Sequence, residues 1–175
     1  MPLVVCLVIA LSGAAHAFDT RARDPRVRAM GSRLAKIIET GCRQSVTFRS
    51  LVDRLEEGDV IVYLQIATLP SSLQGRLRFI SVVAGRRYVL IEVVRELDAR
   101  RMIAMVGHEL QHAVEILDAP EIVDTSTMAA AYGRWGYRRR YTGEGWVGFD
   151  TAAAVLAGRQ VERELAGGRV TLATR

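Results

Sequence analysis

Gly107-His108-Glu109-Leu110-Gln111-His112-Ala113 is the stretch on which the reading of this chain turns. It contains an H-E-x-x-H run. If it is helical, a four-residue step is slightly more than one turn, so His108 and His112 project from the same face. Two neutral imidazoles placed this way can hold a zinc ion. Glu109, beside them, can take a proton from a water that the metal activates. His108 and His112 are the only histidines after His16.

The surrounding sequence supports a helix from Asp98 to Leu117. Met102, Ile103, Val106, Leu110, Ala113 and Leu117 fall on one stripe, nearly opposite the two histidines, and Pro120 stops the pattern. Upstream, Val27, Met30, Leu34, Ile37 and Ile38 recur at helical spacing over residues 26–40, ended by Gly41. Phe48, Leu51, Val52 and Leu55 do the same over residues 47–57, closed by Gly58. Val60 to Ile66, Leu77 to Val83 and Tyr88 to Val94 are rich in β-branched residues and read as strands. Gly85-Arg86-Arg87 joins the last two as a hairpin, which makes that pair antiparallel. Downstream, Thr125 to Tyr132 reads as a helix and residues 133–149 as a long loop. Asp150 to Leu165 reads as a final helix, ended by Gly167-Gly168. The fold class expected is α+β, with a small mixed or antiparallel sheet packed on the H-E-x-x-H helix.

The chain has 175 residues, half of them hydrophobic and a quarter charged, which suits one domain with its own core. Net charge is +5, carried almost wholly by arginine, since Lys36 is the only lysine. An excess this mild reads as a solvated surface, and no nucleic-acid partner is expected from it. Leu3 to Leu11 is an apolar run too short to span a bilayer, and Ala15-His16-Ala17 offers the small residues a signal peptidase reads. Residues 1–17 are therefore expected to be a signal peptide, leaving a domain over residues 18–175 that is exported to the periplasm or beyond. Asp24-Pro25 belongs to a polar lead-in. No later segment is long and apolar enough to cross a membrane. Cys6 falls in the part removed, so Cys42 is left unpaired and is expected to be buried and inert.

A catalytic zinc usually takes three protein ligands. The histidines supply two, and with Cys42 poorly placed the third is expected to be a carboxylate. Glu115 shares the histidine face but sits about 10 Å along the axis from His108, which suits it to orienting His112 rather than to joint ligation. Asp124 and Glu144 are further carboxylates in the downstream half.

The run from Gly107 to Ala113 resembles the active-site helix of the zincin metallopeptidases, in which a mixed sheet precedes that helix. Asp150-Thr151-Ala152-Ala153 is similar to the acidic-x-x-Ala pattern of the second helix in the gluzincin branch, with Asp where Glu is usual. Residues 58–166 also resemble small exported bacterial proteins that carry the motif. The resemblance implies a zincin-like fold in which Asp150, on a second helix, completes a zinc site with His108 and His112. Helix N-cap is the competing role for Asp150. Asp118 stands where the metzincin branch has its third ligand, but Glu115 replaces the glycine that branch needs for its turn. The implied activity is hydrolysis of a peptide or protein substrate, with Glu109 as general base and then as proton donor to the leaving amine. Tyr132, Tyr137, Tyr141 and Arg138 to Arg140 are candidates to stabilise the oxyanion. A metal-binding or interaction protein of the cell envelope without catalysis keeps the same histidines and is the alternative.

Overall fold

The computed structural model describes residues 24–140 and 147–167. The expected signal peptide, Cys6, Tyr141, Glu144 and Gly168 lie outside the described residues. Strand β1 (Val27–Ala29) leads into helices α1 (Ser32–Gln44) and α2 (Val46–Glu56). Strands β2 (Val60–Ile66), β3 (Gly75–Val83) and β4 (Arg86–Val93) follow, then helices α3 (Ala99–Asp118) and α4 (Thr125–Trp135). A hairpin of β5 (Tyr137–Arg140) and β6 (Val147–Asp150) precedes α5 (Ala152–Gly167). The class is α+β, as the periodicity predicts.

The main sheet is mixed, in the order β1-β2-β4-β3, with β1, β2 and β4 parallel and β3 antiparallel at the edge. The hairpin predicted between β3 and β4 forms, but one residue earlier than expected. Ala84 and Gly85 occupy its two turn positions with φ of 49° and 72°. Two successive left-handed residues make the turn that suits the twist of adjoining strands. A bulge between Phe79 and Ser81 breaks the register of the edge strand.

One sheet face is apolar. Val60, Val62, Leu64, Val89, Ile91, Val93 and Phe79 meet Met102, Ile103, Val106 and Leu110 of α3 in one continuous core. Alternation sends the other residues outward, where buried Glu92 accepts from Arg76 at 2.6 Å and pairs with Arg78 at 3.0 Å. Helix α3 starts at an Asp98 cap that accepts from the Arg101 N–H. Its far end is held by buried Arg87, which donates to the carbonyls of Ile116, Leu117 and Ala119 and is paired with Asp59. These contacts satisfy carbonyls that a helix end otherwise leaves open.

Four expectations need correction. Val27 and Met30 mimic helical spacing, but Val27 to Ala29 pair with Val62 to Leu64 as a strand, and the helix begins only at Ser32. Gly41 does not end that helix. It lies inside α1, where a Cβ would come within 2.8 Å of the Phe48 ring, so the glycine lets α2 approach. The segment expected as one long loop contains β5 and β6. Finally, the apolar stripe opposite the histidines implies that core packing and metal face are separate on α3, but α5 packs along the histidine side and brings Ala157, Val161 and Leu165 into the same core.

Candidate metal centre

The approach of α5 to α3 is made at two glycines. A Cβ on Gly158 would sit 3.1 Å from the His108 Cβ, and one on Gly107 would sit 2.9 Å from Val161. Missing side chains at these points let the backbones close, as small residues do at tight helix crossings. Closing α5 on α3 carries the end of β6, and with it Asp150, over the histidines.

His108, His112 and Asp150 each offer one ligand atom, and all three atoms lie within 4.8 Å of one another. Asp150 Oδ1 is 3.4 Å from His108 Nε2 and 3.6 Å from His112 Nε2. Ligands held 2.0–2.2 Å from a tetrahedral ion are separated by about 3.4 Å, so these spacings fit the edges of a zinc site. The donor types fit as well, being two imidazoles and one carboxylate. The side chain of His108 is 17% exposed, while those of His112 and Asp150 are 8% and 3% exposed.

Asp150 is the last residue of β6, not a helix cap. The cap position belongs to Thr151, whose Oγ1 accepts from the Ala154 N–H at 3.0 Å. Asp150 Oδ1 instead accepts from the Thr151 N–H at 2.8 Å and faces both imidazoles. The other carboxylates are placed elsewhere. Asp118 is exposed at the end of α3 and paired with Arg54 at 2.7 Å. Asp124 caps α4 by accepting from the Thr127 N–H.

Glu115 is where helical spacing puts it, one turn past His112, and His112 Nδ1 donates to its Oε2 at 2.7 Å. A carboxylate on Nδ1 leaves the Nε2 lone pair for a metal. Tyr132 does not face the ligand atoms. Its hydroxyl donates to Glu115 Oε2 at 3.0 Å and lies 3.2 Å from the His112 carbonyl, on the Nδ1 side of the ring. It therefore supports His112, and the oxyanion role considered for it does not fit this placement. Tyr137 is half exposed, and Arg138 lies over the Phe149 ring at 6.0 Å. The side chains of Arg139 and Arg140 lie outside the described residues. Sequence reasoning missed Thr151, although a threonine just before a helical run of alanines is a recognisable cap signal.

Electrostatics follow from burial and crowding. Burial lifts the Glu109 carboxyl to about 7; nearby Asp150 and Glu115 add to this and His112 opposes it. Burial disfavours charge on His112, yet hydrogen bonds to Asp150 and Glu115 outweigh it and raise the group to about 9. Burial also pushes Asp150 upward, but His112, His108 and the Thr151 N–H bring it down to about 2. The Tyr132 hydroxyl is raised, by burial first and then by Glu115. Carboxylates that converge on one imidazole thus favour positive charge at this point, carried by the imidazolium itself or by a divalent cation in its place. Cys42 is partly buried in α1, and burial, with the nearby Asp53 charge, raises its thiol above the ordinary range. Among the described residues, no helix is long and apolar enough to cross a membrane. No family model matches the chain, and no solved structure matches it.

Proposed function

We propose that the protein is an exported zinc-dependent peptidase of zincin type, close in plan to the gluzincins. One observation carries this reading: His108, His112 and Asp150 converge at metal-ligand spacing, and a buried glutamate, Glu109, stands beside them. The donor set alone does not choose the chemistry, because two histidines and a carboxylate also serve iron oxygenases. Glu109 favours hydrolysis, since a buried carboxyl beside the ligand histidines is placed to accept a proton from a water and return it to a leaving group.

The sheet supports the same reading. Among the described residues strand β3 is an edge with one strand neighbour, and it starts at Gly75, where a Cβ would come within 3.1 Å of Glu109 Oε1. An extended peptide added to this edge by backbone hydrogen bonds would have its chain directed toward Glu109. A zinc ion held by His108, His112 and Asp150 would supply Lewis acidity to a scissile carbonyl and to a water. Glu109 would accept a proton from an attacking water as the water oxygen bonds to the carbonyl carbon. Glu109 then gives the proton to the amine as the carbon–nitrogen bond breaks, so proton and electron pair are both accounted for.

Near-complete burial of His112 and Asp150 also suits a closed metal site without catalysis, which is the second reading. The deciding experiment combines metal analysis of the purified protein with turnover on a peptide library. Glu109→Gln is expected to keep zinc and to lose hydrolysis by several orders of magnitude. Equal inactivity of wild type and variant, both loaded with zinc, would support the closed site; an empty site after purification with added zinc would overturn both readings.

A further inference from the structure

Glu115 uses its two oxygens on different elements. Oε2 accepts from His112 Nδ1 at 2.7 Å and from the Tyr132 hydroxyl at 3.0 Å. Oε1 accepts from Thr151 Oγ1 at 2.5 Å. A threonine hydroxyl has one proton and two lone pairs. Thr151 gives the proton to Glu115 and accepts the Ala154 N–H, so one hydroxyl ties α3 to the first turn of α5. Its own N–H donates to Asp150 Oδ1, the oxygen that faces both imidazoles. Asp150 closes a four-residue strand, and its neighbour is bonded directly to the carboxylate that orients His112.

We propose that Thr151 and Glu115 form a latch that sets Asp150 in the metal site while fixing which nitrogen of His112 faces it. The latch rests on the metal reading given above. Both are positioning residues. Glu115 serves the Nδ1 side of His112, away from the Nε2 atom near Asp150, and the Thr151 hydroxyl is spent on Glu115 and Ala154. A merely structural hydrogen bond would stabilise the fold without tuning the metal; a latch couples the two.

The test is a double-mutant cycle of Thr151→Val, Glu115→Gln and the pair, with Thr151→Ser as the conservative variant. Denaturation of the metal-free proteins comes first, and the two substitutions are expected to be less than additive. Zinc affinity by chelator competition comes second. Thr151→Val and Glu115→Gln are each expected to weaken binding 10–100-fold, the scale for residues that orient ligands. The pair is expected to cost no more than the worse single change, with Thr151→Ser near wild type. Cobalt(II) absorption is expected to change in Thr151→Val and to be retained in Thr151→Ser. Unchanged zinc affinity in Thr151→Val, strict additivity in the metal-free cycle, or no recovery with serine would overturn the latch. A wild type that takes up no zinc defeats the metal reading instead, and the metal-free cycle then decides the latch alone.

Discussion

At Asp150 the length of a side chain and the place of a residue on the backbone compensate. Aspartate is one methylene shorter than the glutamate of the gluzincin pattern that its segment resembles, yet at the end of a strand its Oδ1 comes within 3.4 Å of His108 Nε2. Asp150→Ala is therefore expected to lower zinc affinity well beyond the 10–100-fold cost of losing an orienting residue. Asp118→Ala, removing an exposed partner of Arg54, should leave zinc stoichiometry at the wild-type value. Calorimetric titration of the two variants side by side checks both. The histidines and Glu109 are legible in the sequence because local spacing alone puts them together. Glu115 is legible for the same reason, lying three residues past His112 on the same helix. Tyr132 is not, because its hydroxyl reaches His112 only through the packing of α4, and nothing in the sequence near Tyr132 encodes that contact.

Among the elements, those with strong periodicity are the ones readable in advance. β2 has the predicted bounds, and α3 begins one residue after its Asp98 cap. β1 is missed because three residues are too few to show alternation, and Val27 and Met30 happen to continue the spacing of the helix that follows. β5 is missed because Tyr137-Arg138-Arg139-Arg140 has no alternating apolar face; it is defined by pairing with β6. The closeness of α3 and α5 depends on glycine, and this gives a test. Gly158→Val is expected to push α5 from His108 and to weaken zinc binding at least tenfold. Gly133→Ala, where a Cβ meets nothing within 4 Å, should bind zinc as the wild type does. Chelator competition on the two variants distinguishes close helix approach from a general intolerance of added side chains.

On the scale of the whole molecule, Glu164 joins α5 to the start of α2. It accepts from Ser45 Oγ, from Thr47 Oγ1 at 2.8 Å and from the Thr47 N–H at 3.1 Å. Burial pushes its carboxyl up, but these bonds and one from Gln160 outweigh that and hold it at about 2, below its ordinary 4.5. A carboxylate depressed by folding contributes stability that is complete above its unfolded value and is lost as pH falls through the folded one. Glu164→Gln is thus expected to be less stable than wild type at pH 7 by about 1–3 kcal/mol. The gap should close between pH 4.5 and about 2, as followed by urea denaturation across that range.

The same staple has a consequence in time. Ser45 and Glu164 stand 119 residues apart in the chain, and Asp150 comes 38 residues after His112. A polypeptide still emerging can form the β2–β4 pairing and α3 while Asp150, one of the three candidate ligands, has yet to be made. On the metal reading proposed above, capture of the ion is then expected to be the last event of maturation, following chain closure rather than guiding it. In a refolding experiment the far-ultraviolet helix signal is expected to rise first, and a zinc-dependent step to trail it at a rate that does not change with zinc concentration.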